Sequence, residues 1–305
     1  MPASRREDRA GALVIHPGAL GDVLLAVPAL RALGADGAVT LLAQPRLGRL
    51  LVALCVVAHA EPFDGSGLDV LFTHDVVRPE RALGRLAAAA RVVCWFGARD
   101  PHFVARLRAL APDAIVAPPA TAPHVVWRHL AESIGQRDPD RSPVIVSARL
   151  RERGVAALRA AGWDGVSRFL VVHPGAGSLA KRWPAGGFAA LLADVDDAIV
   201  VHEGPADADA VDGFIRTARR RVLRIADPPL DTLAGILAVA AAYVGNDSGV
   251  SHLAATVGTR SLVLFTEALL AWIPWSPTAS CVRITAGELI AAEQADVRRA
   301  LRAML

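Results

Sequence analysis

Residues 171–184 read VVHPGAGSLAKRWP. An apolar run of β-formers at residues 169–172 gives way to a glycine-rich turn. Pro184 then announces a helix, because its fixed φ suits a first helical turn and its missing N–H costs nothing there. Strand, glycine turn and helix in that order open a parallel βα unit. Inside the turn lies Lys181, the chain's only lysine; every other basic residue among the 33 Lys and Arg is arginine. Where a chain uses arginine so freely, a surviving lysine marks a place that suits a compact ammonium rather than a planar fork. Backbone N–H groups at such a turn and at a helix N-terminus attract an anion, and an ammonium completes the charge. Gly175, Gly177, Ser178 and Lys181 therefore read as a phosphate site, without the G-x-x-x-x-G-K-[ST] spacing of a P-loop. The plainer alternative is an exposed cation in a tight turn.

A second signal is VGNDSGVSHLAA at residues 244–255. A strand ends at Gly245, Asn246 or Asp247 can cap, and Ser248–Gly249 opens a helix that carries His252. An ordinary Asp-Ser cap with His252 on the surface is the alternative. Beside Lys181, this second turn suggests a diphosphate held between the two. Glu203 and Asp207 close another strand of the same half, where an acid commonly holds ribose hydroxyls. Asp194 and Asp196 sit at a helix end and read as solvated, and no His, Cys, Asp or Glu cluster has metal-ligand spacing.

Outward from these motifs, apolar runs at 169–172, 198–202, 222–225, 242–245 and 261–265 alternate with helical patterns at 185–194, 207–219, 230–240 and 248–257. That alternation predicts a doubly wound parallel sheet. The first half is similar, with strands at 12–15, 39–43 and 91–96, a weak strand near Leu71, and helices at 23–33, 45–53 and 124–134. Pro28 should kink or restart the first of these helices, which breaks at Gly34. The tetrapeptide His-Pro-Gly-Ala follows the first strand of each half, at residues 16–19 and 173–176. In the first copy Gly18 and Gly21 allow a tight turn, and Asp22 lies where an N-cap or first-turn acid belongs. Two related domains with their strand-end loops facing a central cleft follow from the repeat. The expected boundaries are a disordered tail over 1–11, a first domain over 12–145, a linker with its helix over 146–167, a second domain over 168–287, and a C-terminal helix over 288–305.

Composition narrows the function. Net charge is +3 and aromatics are 5% of 305 residues, with no basic stripe interleaved with stacking residues, which argues against a nucleic-acid groove. Mean hydropathy is +0.37, but the longest apolar run, residues 50–58, is only half a membrane span of roughly 20 residues. The polar start MPASRREDRAG carries no secretory pattern. Cys55, Cys94 and Cys281 are odd in number and lack C-x-x-C spacing, pointing to a reducing cytoplasm rather than a disulfide frame.

Taken together, GALGDVLLAVPALRAL, HPGAGSLAKRWP and NDSGVSHLAA resemble the bacterial heptosyltransferases, glycosyltransferase family 9, over residues 14–263. The resemblance implies a GT-B fold of two Rossmann-like domains and an ADP-sugar donor. It also implies inversion at the anomeric carbon without a metal or other cofactor, and a lipopolysaccharide-core or related glycan or glycolipid acceptor. It makes Asp22 the general base and Lys181 the diphosphate contact. Asp247, Ser248, Gly249 and His252 become the donor loop, and the C-terminal helix is expected to cross back onto the first domain. A cytoplasmic monomer, peripheral on the inner membrane, goes with it. One departure stands out: the family's G-P-T-[DN]-P loop is replaced by Phe265, Thr266, Glu267, Ala268 and Leu269, leaving sugar and nucleotide open. A nucleotide-sugar epimerase or hydrolase, or a non-catalytic nucleotide-sugar or glycan binder, would share this donor site; the presence of Asp22 speaks against the binder.

Overall fold

The computed structural model describes residues 10–73, 80–121 and 123–305. It falls into two units, divided between Asp140 and Arg141. In the first unit a five-stranded sheet has the order β3-β2-β1-β4-β5, from β1 (Ala10–Ile15), β2 (Val39–Ala43), β3 (His59–Pro62), β4 (Ala89–Cys94) and β5 (Ile115–Val116). Its helices are α1 (Leu20–Leu25), α2 (Val27–Asp36), α3 (Pro45–Ala53), α4 (Glu80–Ala88), α5 (Pro101–Leu110) and α6 (Val126–Ser133). Pro28 does restart the helix, sitting in the first turn of α2, but Gly34 does not end it. The helix runs on to Asp36 and stops at Gly37, whose φ of +156° favours glycine. The strand expected near Leu71 is a 3-10 turn, Leu68–Phe72. Leu68 and Leu71 stand three apart and both are buried, which is the spacing that eclipses side chains in a 3-10 helix. Of the expected tail, residues 1–9 lie outside the described residues, and β1 already begins at Ala10.

The second unit contains α7 (Ala148–Ala160), β6 (Phe169–His173), α8 (Ala185–Leu192), β7 (Ala198–Glu203), α9 (Ala208–Thr217), β8 (Val222–Ala226) and α10 (Leu230–Val239). It continues through β9 (Ala242–Asn246), α11 (Gly249–Thr256), β10 (Ser261–Phe265), β11 (Ala279–Arg283) and α12 (Ala291–Met304). Its six strands lie in the order β11-β10-β9-β6-β7-β8, and every pairing is parallel. Every residue of β6, β9 and β10 is buried, as expected of parallel strands covered on both faces. On one face Leu170, Val172, Val201, Val244 and Leu264 pack with Phe188 of α8 and Phe214 of α9.

Two boundaries differ from expectation. Residues 146–167 are not a linker: Gly154 of α7 and Gly235 of α10 bring the two helix backbones into contact. A Cβ on Gly154 would lie 2.4 Å from the Gly235 carbonyl carbon, and one on Gly235 would lie 1.9 Å from the Leu150 carbonyl oxygen. The preceding segment is also tied in, with Val144 N–H donating to Thr256 O at 2.8 Å and Arg141 Nε to Trp275 O at 2.6 Å. The C-terminal helix, expected on the first domain, buries Val297 and Leu301 in the second unit's own core, with Ala300 and Met304 of the same helix packed against it.

The helix contact yields a test. Gly235→Ala gains about 1 kcal/mol of helix propensity but overpacks a backbone contact, at a cost of about 1–3 kcal/mol or more. Urea unfolding should show a net loss of stability; a stabilised variant would mean α7 and α10 do not meet as described.

Candidate active site

In the second unit, β6 and β9 are neighbours although β7 and β8 intervene in sequence. This is the switch point of a doubly wound sheet, where ligands bind beyond the strand C-termini. Both sequence signals emerge there. From β6 the chain enters the glycine-rich turn, which ends in a 3-10 turn, Leu179–Lys181, started by Ser178. From β9 it passes through Asp247 and Ser248 into α11, where Ser248 Oγ caps by accepting from Ser251 N–H at 3.4 Å.

The two motifs touch. Lys181 Nζ donates to Asp247 Oδ2 at 2.8 Å, and the other carboxylate oxygen lies 3.6 Å from His252 Nε2. Asp247 and His252 are both buried, so His252 is not a surface residue. Burial alone would push the Asp247 carboxyl up, but hydrogen bonds from His252 and Lys181 outweigh it and hold the group below the usual carboxylate range. Lys181 is about a third exposed, at 32% of its side chain. Asn246, fully buried, joins the turns at their roots: its Nδ2 donates to Pro174 O at 2.8 Å, and its Oδ1 accepts from Trp183 N–H at 2.9 Å.

Gly175 has no room for a side chain, since a Cβ would lie 2.1 Å from Asp207 Oδ1. Gly177 and Ser178 are exposed, and a Cβ on Gly177 would meet nothing within 4 Å. Gly249 is the first residue of α11. The two expected ribose acids are otherwise engaged. Asp207 is buried, accepts from Gly204 N–H at 3.1 Å, and stands 3.5 Å from Arg182 Nη2. Glu203 is paired with Arg224, which also donates to Asp212 at 3.1 Å. Asp194 and Asp196 are exposed, as expected. Among the described residues no group of three His, Cys, Asp or Glu side chains stands where it could hold a metal ion.

Sequence reasoning missed three members of this edge: Arg182, the clamp role of Asn246, and a histidine pair. Arg182 Nη1 donates to both oxygens of Asp209 at 3.0 and 2.8 Å, and Nη2 to Ala206 O at 3.2 Å, tying the glycine turn to the turn after β7. His173 and His202, at the ends of β6 and β7, face each other with Nδ1 atoms 3.2 Å apart. His173 Nε2 lies 3.7 Å from Asp207. Burial, then the neighbouring His173, pushes His202 down to about 3. Burial likewise lowers His173, with Asp207 opposing. The one available signal was their position at the end of apolar runs, which predicts burial but not a partner.

In the first unit the turn after β1 has the same position beside the β1–β4 switch point. Gly18 fits between His16 and Asp22, because a Cβ would lie 2.8 Å from one and 2.9 Å from the other. Gly21 and Asp22 fall within α1, where Asp22 Oδ2 accepts from Ala19 N–H at 3.2 Å. Gln44 Nε2 donates to Gly18 O at 3.2 Å. Burial pushes His16 down to about 4, with the Asp22 carboxylate opposing.

Two parallel α/β units, each with a glycine turn at its switch point, are the architecture of the GT-B fold. The chain belongs to glycosyltransferase family 9 (heptosyltransferase), which it matches over residues 86–300. The match reaches further toward the C-terminus than the sequence resemblance, and it leaves out the turn that carries Asp22. No curated protein matches the chain. Among solved structures, it is similar to a family 9 glycosyltransferase from Veillonella parvula, at 14% identity over 99% of both chains with a TM-score of 0.76. The Escherichia coli ADP-heptose lipopolysaccharide heptosyltransferase II is 21% identical over 96% of this chain and 98% of its own, TM-score 0.72. The E. coli heptosyltransferase WaaC with ADP is 17% identical over 96% and 99%, TM-score 0.67.

The histidines predict a pH dependence. In the folded protein His202 titrates near 3, against a usual 6.5. As pH falls below 6.5 the unfolded chain takes up this proton first, so stability is lost, at about 1.4 kcal/mol per pH unit per histidine. His202→Phe should flatten the fall in urea-unfolding free energy between pH 6 and 4 by about that slope. An unchanged slope would mean that His202 is not buried neutral.

Proposed function

We propose that the protein moves heptose from ADP-heptose to a hydroxyl of a lipopolysaccharide-core or related glycan acceptor, with inversion and without a metal. The observation that carries this reading is Lys181, poised beside the start of α11 with one of its three N–H donors on Asp247 and two left for a ligand. A diphosphate placed there would meet an ammonium and the free N–H groups of a helix N-terminus, which neutralise the charge a metal would otherwise offset. The ADP and the sugar come from the relatives, whose structures include WaaC with ADP and with ADP-2-deoxy-2-fluoro heptose.

In the proposed step Asp22 accepts the proton of the acceptor hydroxyl. The acceptor oxygen forms a bond to the anomeric carbon from the face opposite the diphosphate. The bond from that carbon to the diphosphate oxygen breaks, and its electron pair leaves on ADP. A second part of the proposal is a cytoplasmic monomer, peripheral on the inner membrane. It is consistent with the described residues, none of whose helices is long and apolar enough to cross a membrane. A similar structure, the glycosyltransferase TibC from E. coli, is dodecameric, so sedimentation of this chain as a single protomer is the outcome that supports the monomer.

Thermal shift against ADP, UDP, GDP and CDP tests the donor, since a ligand that binds only the native state raises the midpoint. ADP should stand out; a shift with UDP alone would reject the adenine assignment. In calorimetric titration, Lys181→Ala should weaken ADP binding by about 1.5–3 kcal/mol, with Lys181→Arg recovering only part. Full affinity in Lys181→Ala would remove the diphosphate site.

Asp22→Asn separates base from cap. Asparagine can still accept from Ala19 N–H, and losing one acidic charge in the first turn of a helix costs only about 0.3–1 kcal/mol. The melting temperature should therefore hold, while turnover falls roughly 10²–10⁴-fold. Wild-type turnover in a stable Asp22→Asn protein would rule out the base.

A further inference from the structure

Asn246 has no place in the chemistry above, yet both ends of its amide are engaged. It is completely buried. Its Nδ2 donates to Pro174 O at 2.8 Å and lies 3.4 Å from Gly175 O, while Oδ1 accepts from Trp183 N–H at 2.9 Å. An amide offers donor and acceptor in one small planar group, which neither a carboxylate nor a hydroxyl reproduces here. The residues it grips lie on both sides of the exposed loop that carries Lys181. Pro174 and Gly175 precede that loop, and Trp183 follows it. Asn246 thus closes the loop at its root, and the next residue, Asp247, holds the lysine at its tip.

We propose that Asn246 is a positioning residue that sets the Lys181 ammonium against the start of α11. It acts through the backbone of the glycine turn and touches no substrate. The inference rests on the reading of that turn as the diphosphate site. With the amide removed, three backbone groups lose their partner, the loop loses its fixed span, and Lys181 no longer stays registered on Asp247. A merely structural asparagine would lower stability without moving the lysine.

The chain's single lysine makes the difference measurable. Reductive methylation with ¹³C-formaldehyde labels only Lys181 and the amino terminus, so one side-chain methyl resonance reports the ammonium with no ligand present. Asn246→Leu, close in shape and without polar atoms, should move that resonance to the position of free dimethyl-lysine. It should weaken ADP binding about 10- to 100-fold, and in a Lys181→Ala background it should change ADP affinity by less than about twofold, the non-additivity expected when one residue acts through another. Should Asn246→Leu fail to fold, Asn246→Ser is read in the same way, with a smaller displacement expected. A resonance that stays in place, or losses that simply add, would overturn the assignment. Failure of the wild-type protein to bind ADP would instead reject the donor reading, while the ligand-free resonance still decides the role of Asn246.

Discussion

The parallel pairing of β6 with β9 is the constraint from which the second unit's chemistry follows. It sets His173 opposite Gly245, so the chain leaves both strands at one edge of the sheet. Packing there admits no side chain at Gly245: a Cβ would lie 2.3 Å from the Tyr243 hydroxyl and 2.9 Å from the His173 carbonyl oxygen. With that space closed, the first polar side chain beyond the pairing is Asn246, and the first charged one is Asp247. One holds the backbone of the opposite turn and the other holds its lysine. Two motifs distant in sequence become one object because two strands are adjacent.

Electrostatics then decides what that object can accept. A carboxylate as buried as Asp247 is costly unless its partners are well placed, and Lys181 and His252 supply them. A guanidinium would bring a wider, planar fork and take more of the carboxylate. An ammonium gives one donor to Asp247 and keeps two. The use of a lone lysine in an arginine-rich chain is therefore explained by what remains free after the ion pair has formed. The histidines below the turn play a different part. Neutral because of burial, they add no charge at this end of the sheet.

Much of this is legible in the sequence, and the parts that are not have physical reasons. Buried parallel strands such as β6, β9 and β10 are unbroken apolar runs, so their positions read within a residue. The edge strands β3 and β11 are only half covered and show neither a run nor an alternating face. Helix α5 is announced by Asp100 and Pro101, and Asp100 Oδ1 does accept from His102 N–H at 2.9 Å, yet its loop-rich surroundings hide it. At the site, Lys181 and the Asn-Asp-Ser-Gly turn can be picked out because their residue types are unusual where they stand. Glu203 and Asp207 can be placed at a strand end, but nothing local tells which arginine reaches them. Long-range partners such as Arg224 and Arg182 belong to tertiary structure alone.

The loop after β10 takes its shape separately from the turns that follow β6 and β9. Phe265, Thr266, Glu267, Ala268 and Leu269, standing where the family resemblance expects Gly-Pro-Thr-[DN]-Pro, remove a glycine and two prolines, all helix breakers, and the segment Glu267–Trp272 is a 3-10 turn. Its ion pair, Glu267 with Arg283 at 2.8 Å, is about 70% exposed on both sides, and such surface pairs contribute about 0–1 kcal/mol. Local helical preference, more than the pair, therefore sets the shape of this loop. The two turns leave from β6 and β9 and are tied to each other by Asn246 and Lys181. On the proposed reading, change in that loop can alter what lies beyond the diphosphate while the ammonium and the start of α11 stay where they are.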